Sequence, residues 1–476
     1  MNIQIFNQTE GYLLLFAYAA LVSAVVWFFT RFGEATKSEF LVAERGIGTV
    51  PASFSIAAAW IWAPALFVSS EKAYAQGWVG LFWFLVPNVL CLVLFSFFAK
   101  RIRNAFPEGF TLSGYMKERH SKRVQNLYLV ALAGLATCSF AVQLLAGGKI
   151  ISTISGIPFQ TVTVILAVIP IGYTLYSGIR GSIVSDFLLL AVMLLTVAFI
   201  VPWTVSAGGG WEVVAKGFTG KTGTYSDLFS GDGLTVFLTF GIPATIGLMS
   251  GPFGDQSFWQ RAFAIRKEGV QRSFVYGALL FALVPLSLSV LGFLAAGMGF
   301  VAKNQSQVNL EVVLALLPAW TVVPFAFMLL SGLVSTLDSN LASISSMSGH
   351  DVYERRNGST GTWKNNAKVM KYSRTAMVVL SVAAIGIANI PGLTVLYLFL
   401  FYGTLRASTL LPTVVTLLRP KVSESGVFYG ILGSILIGLP IFAYGNLNKI
   451  TGLIIFGSLF SVLFSGFCAL AFGKKE

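Results

Sequence analysis

Three cysteines and two histidines are all that 476 residues offer of the side chains that most often bridge or bind metals. Cys91, Cys138 and Cys468 lie far apart without CxxC spacing, and each falls in an apolar run. That excludes a disulfide framework and a zinc fold and leaves buried thiols as the expectation. His120 and His350 sit alone in or beside polar connections, which excludes a histidine-based catalytic or metal constellation and predicts solvated rings. Charge is also scarce, at 11% of residues. No connection between apolar runs exceeds about 30 residues, so a Walker loop, a kinase module or a soluble catalytic domain has no place to fold. The chain is therefore expected not to be an enzyme. An ATP-driven pump would have to borrow its motor.

What the sequence has in abundance is apolar surface: 55% of residues are hydrophobic and the mean hydropathy is +0.78. A helix crossing a bilayer needs about 20 apolar residues. Such runs predict an all-α polytopic membrane protein with about thirteen spans, at residues 11–30, 49–75, 78–99, 124–147, 158–177, 182–205, 233–260, 273–300, 312–347, 369–390, 392–418, 425–444 and 450–472. The first run lacks a basic leader and a small-residue cleavage site and is too long for a signal core, so it is kept as a span.

Basic residues concentrate in cytoplasmic loops of membrane proteins. With the N-terminus outside and the C-terminus cytoplasmic, 25 of the 32 Lys and Arg fall in inner segments, among them Arg45, Arg180, Arg261, Arg355, Arg356, Lys474 and Lys475. The formal charge of +13 thus belongs to loops of a multi-pass cell (inner) membrane protein. It gives no reason to expect a nucleic-acid partner, for which a soluble basic face would be needed.

Two spans are wrong for plain lipid anchors. In "AAAWIWAPAL" Pro64 removes a donor and frees carbonyls around Ala58 to Ile61, and in "GIPATIGLMSGPFGDQSFWQR" Pro243, Gly247, Gly251, Pro252 and Gly254 precede Asp255 and Gln256. Irregular backbone at membrane depth survives only where protein or water covers it. The two interrupted spans open two sets of five, which suggests an inverted repeat of five plus five helices, with solute and ion sites at the breaks. This divides the chain into residues 1–48 (a helix and inner loop), 49–205 (first repeat), 206–232 (outer loop), 233–418 (second repeat) and 419–476 (two further helices).

In "LLSGLVSTLDSNLASISSMSGHDVY" Ser331, Ser335, Ser339 and Ser343 share one helical face, with Thr336 and Asp338 beside it. Hydroxyls and freed carbonyls suit a hard cation such as sodium; equally, membrane serines bond back to their own helix. Asp338 in mid-span is costly and points to an ion path. Asp186, near a span end, allows an interface role or ion binding. For Arg406, pairing with an aspartate comes first, ahead of a solute carboxylate or snorkelling. Substrate positions follow from the two breaks: Trp60, Trp62, Pro64 and Ala65 on one side, Asp255, Gln256 and Phe258 on the other.

The stretches "FLVAERGIGTVPASFSIAAAWIWAPALFVSSEKAYAQG", "SGIRGSIVSDFLLL", "GPFGDQSFWQRAFA" and "GLVSTLDSNLASISSMSGHDVY" resemble successive signature regions of the solute:sodium symporter family. Within it they are most similar to the branch that includes urea active transporters. The resemblance implies a LeuT-type fold with one helix before the ten-helix core and two after it, and sodium-driven alternating access. It implies a main sodium site from Ala58, Ile61, Gly332, Ser335 and Thr336, and a second from Asp186, Ser335, Asp338 and Ser339. Asp338 departs from the hydroxyl that members using the second site carry.

The resulting expectation is a sodium-coupled symporter importing a small polar solute, urea or an amide-like compound first, with Asp255 and Gln256 supplying acceptors for its N–H groups. Glu71, Lys72 and Tyr74 would line the outer approach, with Arg406 as a further gate residue. Glu71, Lys72 and Arg406 depart from the urea-like pattern and admit an amino acid, carboxylate or sugar. A proton-coupled permease and a transporter-like sensor remain alternatives.

Overall fold

The computed structural model describes residues 5–31, 36–354 and 363–471. The basic residues Arg355, Arg356, Lys474 and Lys475 lie outside the described residues. The chain runs as α1 (Gln8–Thr30), α2 (Lys37–Val42), α3 (Thr49–Trp60), α4 (Ala63–Ala105), α5 (Leu112–Arg119), α6 (Lys122–Ser155), α7 (Phe159–Ala207) and α8 (Trp211–Lys216). It continues as α9 (Gly231–Val236), α10 (Ile242–Met249), α11 (Gln256–Ala264), α12 (Val270–Gly297), α13 (Val308–Leu316) and α14 (Val322–Ser346). The last helices are α15 (Trp363–Ala388), α16 (Val395–Leu418), α17 (Glu424–Gly433), α18 (Leu439–Leu447) and α19 (Thr451–Ala471).

Eleven helices among the described residues are long and apolar enough to cross a membrane. The difference from the thirteen expected spans lies in α4 and α7, 43 and 49 residues long. At 1.5 Å per residue each reaches roughly twice the apolar thickness of a bilayer. Each also contains a glycine with positive φ, Gly77 at 56° and Gly178 at 57°, where the direction changes. At Gly178 a side chain would be excluded twice over, since a Cβ there would lie 2.2 Å from the Phe40 carbonyl oxygen.

Both interrupted spans are broken. After α3 the chain leaves helical geometry at Ile61 (φ −83°, ψ 77°) and Trp62 (φ −102°, ψ 178°). Pro64 stands in the first turn of α4, where its missing N–H costs nothing. The sequence places the break at the proline itself; in the structure the proline starts the second half instead. The second break spans Ser250 to Asp255, a single 3-10 turn between α10 and α11.

The two broken elements are tied together. Ile47, just before α3, pairs in parallel with Ile265, just after α11, through Ile47 N–H to Ala264 O (3.1 Å) and Arg266 N–H to Ile47 O (3.0 Å). Ala43, Glu44 and Arg45 immediately before it have left-handed φ of 47°, 51° and 59°, unusual for residues with a Cβ. The Gln260 side chain holds this corner by donating to Leu41 O at 2.7 Å.

Side chains sort as a bilayer requires. Phe16, Val130, Phe199 and Phe467 are largely exposed on the outer surface, which suits acyl chains. Trp60, Trp62, Trp259, Arg261 and Arg406 are among the largest side chains that are completely enclosed. Cys91 and Cys468 are buried and Cys138 half-buried, all three as free thiols.

Candidate functional site

The break after α3 is the starting point because it exposes backbone oxygen. Ile61 N–H still reaches Ala57 O and Ala58 O (2.9 and 3.0 Å), so the Ala58 carbonyl is shared with its own helix. The Ile61 carbonyl points at α14: a Cβ on Gly332 would stand 2.8 Å from it, which accounts for glycine at that position of the helix. One turn on, Thr336 Oγ1 lies 3.4 Å from Ala59 O and 3.2 Å from Gly332 O. Gln143 of α6 caps the far side by accepting from Ala63 N–H at 2.8 Å. Ile61, Gly332 and Thr336 thus meet at the break. Ala59, whose carbonyl joins them, is a partner that sequence reasoning missed; only helix phase around the break signals it.

Ser335 faces elsewhere. Its hydroxyl donates to Asp186 Oδ1. Asp186 is fully buried and also accepts from Ser55 Oγ (2.5 Å) and Arg261 Nη2 (2.9 Å). Arg261, expected in an inner loop, is instead 1% exposed. Its guanidinium reaches Ser55 Oγ (2.9 Å) on α3, Ser257 O (3.2 Å) on α11 and Ser339 Oγ (2.7 Å) on α14. The Arg261 guanidinium is therefore tethered to Asp186 and Ser339, two of the residues expected to share a second sodium with Ser335 and Asp338. A buried pair of this kind survives with the help of further hydrogen bonds, here from Arg261 to Ser55, Ser257 and Ser339 and from Ser55 and Ser335 to Asp186.

Asp338 is equally buried but is surrounded by hydroxyls. Its carboxylate accepts from Tyr173 (2.6 Å), Ser182 (2.7 Å) and Ser185 (2.6 Å). Ser331 and Ser343, the outer members of the serine face, bond back to Phe327 O and Asn340 O of their own helix.

Around the second break the arrangement is aromatic. Trp60 and Trp62 stack with centroids 5.9 Å apart, Phe258 meets Trp60 edge-on at 5.2 Å, and Phe399 and Tyr402 meet Trp62 at 5.4 and 5.6 Å. Asp255 caps α11 by accepting from Ser257 N–H at 2.9 Å, and its other oxygen accepts from Arg406 Nη2 (3.1 Å) and Tyr402 Oη (3.3 Å). The Arg406 guanidinium lies 3.7 Å from the Tyr402 ring centroid and about 5.5 Å from both tryptophans. Pro64 and Ala65 line the start of α4, fully enclosed.

Gln256 does not join this group. It accepts from Leu112 N–H (3.0 Å) and donates to Phe110 O (3.1 Å) and Ser346 Oγ (3.3 Å), so both ends of its amide are engaged on the α5 side. Nearby, Asp351 accepts from Thr111 and Ser113, and Lys37 pairs with Glu354, which also meets His350 Nδ1 at 2.7 Å. His120 is half-buried with Nε2 3.0 Å from Thr416 Oγ1, so neither histidine is freely solvated. Burial, reinforced by Arg119, lowers the His120 pKa from its usual value to about 4.

At the other end, Glu71 and Lys149 line a cavity of about 340 Å³ together with Phe67, Gln305, Gln307 and Thr394. Lys72 is buried over the Phe240 ring at 4.1 Å, and Tyr74 donates to Phe300 O at 2.8 Å. Of the expected approach residues only Glu71 opens onto this space.

A family model described as "Sodium:solute symporter family" matches residues 40–434. The chain is 22% identical to the urea-proton symporter DUR3 of Oryza sativa subsp. japonica over 97% of its length and 70% of that protein. It is 25% identical to a sodium/pantothenate symporter of Haemophilus influenzae, covering 90% of this chain and 87% of that one. Against the urea active transporter of Saccharomyces cerevisiae, at 23% identity, it spans 58% of the relative's length. Its fold matches the substrate-bound outward-open state of a Na+-coupled sialic acid symporter with a TM-score of 0.75, at 16% identity and over 98% and 99% of the two chains. At that identity the likeness speaks for the fold, which is of the LeuT type.

Proposed function

The chain belongs to the sodium:solute symporter family, and from that premise we propose that it imports a small polar solute by alternating access, driven by sodium bound at the α3 break. It is a multi-pass membrane transporter and not an enzyme, and it binds a small solute and a coupling ion. The observation that carries the sodium reading is the meeting of the Ile61 carbonyl with Gly332 and of Thr336 Oγ1 with Ala59 O. Oxygen dipoles without a carboxylate hold a monovalent hard cation while leaving it free to depart. In this reading Ala58, Ile61, Gly332 and Thr336 form the site with Ala59, and Ser335, expected there too, stands beside it with its hydroxyl on Asp186. Residues 49–205 and 233–418 act as the two inverted repeats, each opened by one of the breaks.

The solute stands between the breaks, against Trp60, Trp62, Pro64, Ala65 and Phe258, beside Asp255 and Arg406. Urea or an amide is the first candidate, because relatives over most of the chain are named for urea. Sodium binding favours the state in which the α3 and α11 breaks face one another, and the Ile47–Ile265 pairing makes the two broken elements move as a unit. The N-terminus is placed outside and the C-terminus in the cytoplasm on the distribution of Lys and Arg.

A proton as the coupling ion has one observation in its favour, the enclosed Asp338 carboxylate surrounded by the hydroxyls of Tyr173, Ser182, Ser185 and Ser339, together with the proton named for the rice relative. Uptake of urea into proteoliposomes separates the readings. An inward sodium gradient at equal pH should drive accumulation. Accumulation driven by an acid exterior in choline buffer, with no response to sodium, would replace sodium by a proton.

A further inference from the structure

Two donors in the candidate solute site have no partner. Trp62 Nε1–H and Arg406 Nε–H are both enclosed without a hydrogen bond, on side chains only 2% exposed. Trp60 Nε1–H donates to Asn88 O at 3.2 Å and Arg406 Nη2 donates to Asp255, while the enclosed Asn88 Oδ1 is, like the two donors, without a partner. Enclosed N–H groups are mostly paired; Trp83 Nε1 and Arg103 Nε are unpartnered elsewhere among the described residues, and what sets Trp62 and Arg406 apart is that they stand together in the candidate solute site, one at the α3 break and one on α16. Their rings and planes adjoin, with the guanidinium 5.4 Å from the Trp62 ring centroid.

The acceptors sequence reasoning assigned to the solute are, by contrast, occupied. One Asp255 oxygen takes Ser257 N–H and Oγ–H, the other takes Arg406 and Tyr402. Gln256 is engaged on the α5 side. The site therefore offers two free donors, while the acceptors expected from the sequence are taken and the free acceptor beside Trp60 is Asn88 Oδ1.

We propose that Trp62 Nε1–H and Arg406 Nε–H form the donor pair that recognises an acceptor oxygen of the solute, and that the solute class is a small planar carbonyl compound. A carbonyl oxygen has two lone pairs and accepts from both donors at once. Aromatic walls, with Trp60 and Trp62 stacked and Tyr402 edge-on to Trp62, suit a flat molecule. Arg406 already has its charge balanced by Asp255, so a neutral amide or urea needs no further counter-charge, whereas a carboxylate enters only with the sodium beside it. A cation without an oxygen acceptor meets donors with donors and is rejected. This rests on the solute position given under the proposed function and deepens it.

The test uses purified full-length protein in sodium buffer and the probes urea, acetamide, acetate, guanidinium and methylammonium, read by thermal shift and by inhibition of urea uptake. Urea or acetamide should stabilise the protein and guanidinium, the oxygen-free isostere of urea, should not. Acetate binding at the same Trp62 donor would place the shared oxygen chemistry in a carboxylate. Trp62→Phe keeps the ring and removes one donor, and Arg406→Lys keeps the charge and removes the other; each should raise the half-saturating concentration of the bound carbonyl probe at least tenfold. Half-saturation by sodium, measured by the sodium-induced thermal shift without solute, should stay unchanged in Trp62→Phe. Guanidinium or methylammonium binding as well as urea, no response to any carbonyl probe, or unchanged affinity in both variants would overturn the proposal. Because the sodium shift is read without solute, failure of the donor pair is distinct from failure of the sodium site.

Discussion

Arg261 Nη2 stands 2.9 Å from Asp186 Oδ2, and neither side chain is more than 1% exposed. The pair joins α11, which follows the second break, to α7, and through Ser55 and Ser339 it also holds α3 and α14. One ionic contact thus links both broken elements to α7 and α14.

Removing one partner of such a pair leaves an uncompensated enclosed charge, at a cost of about 3–5 kcal/mol. Arg261→Ala and Asp186→Ala should each lower the unfolding temperature of the purified protein sharply. The double variant should lose much less than the sum of the two, since it strands no charge. Additive losses would show that the two side chains do not act as a pair.

Thr336 and Ser335 are adjacent in sequence yet differently placed, one at Ala59 O and Gly332 O, the other on Asp186. Thr336→Ala should raise the sodium concentration for half-maximal uptake roughly tenfold, the equivalent of about 1.4 kcal/mol of lost ion binding. Ser335→Ala should shift it less and should lower stability instead. Equal shifts in the sodium titration would place both hydroxyls on the ion.

His120 lies in the connection between α5 and α6, and its pKa in the fold is lowered to about 4 from the usual 6.5. The unfolded chain therefore takes up a proton first as pH falls. Stability is complete above pH 6.5, declines between 6.5 and 4, and levels off below. His120→Gln should flatten the part of the unfolding-temperature profile that falls over this window, and an unaltered profile would assign the slope to other groups.

Much of the fold is legible in the sequence because lipid imposes strict rules. Apolar runs mark the spans, and proline and glycine clusters mark both breaks, since bare backbone at membrane depth is tolerated only against protein or water. The turns inside α4 and α7 are legible too: the expected spans part at residues 76–77 and 178–181, where Gly77 and Gly178 leave helical geometry beside Gln76 and Arg180, although each pair of spans runs on as one helical element. Pro64 locates its break only to within three residues, because proline is as much at home in a first helical turn as after a kink. Arg261 reads as a loop residue because a charge after an apolar run usually is one. The signal against that reading is the apolar "AFAI" that follows it before Arg266. The side on which Gln256 lies was not readable at all: Asp255 is extended, and the direction of a helix after an extended residue depends on tertiary contacts.

The most direct measurement is equilibrium binding of radioactive sodium to the purified protein, with no solute present. Wild-type protein should bind it saturably, Thr336→Ala should bind far more weakly, and Ser343→Ala, whose hydroxyl bonds back to Asn340 O on its own helix, should match the wild type. Saturable binding that Thr336→Ala leaves intact, or no saturable binding by the wild type, would contradict a sodium site between the α3 break and α14.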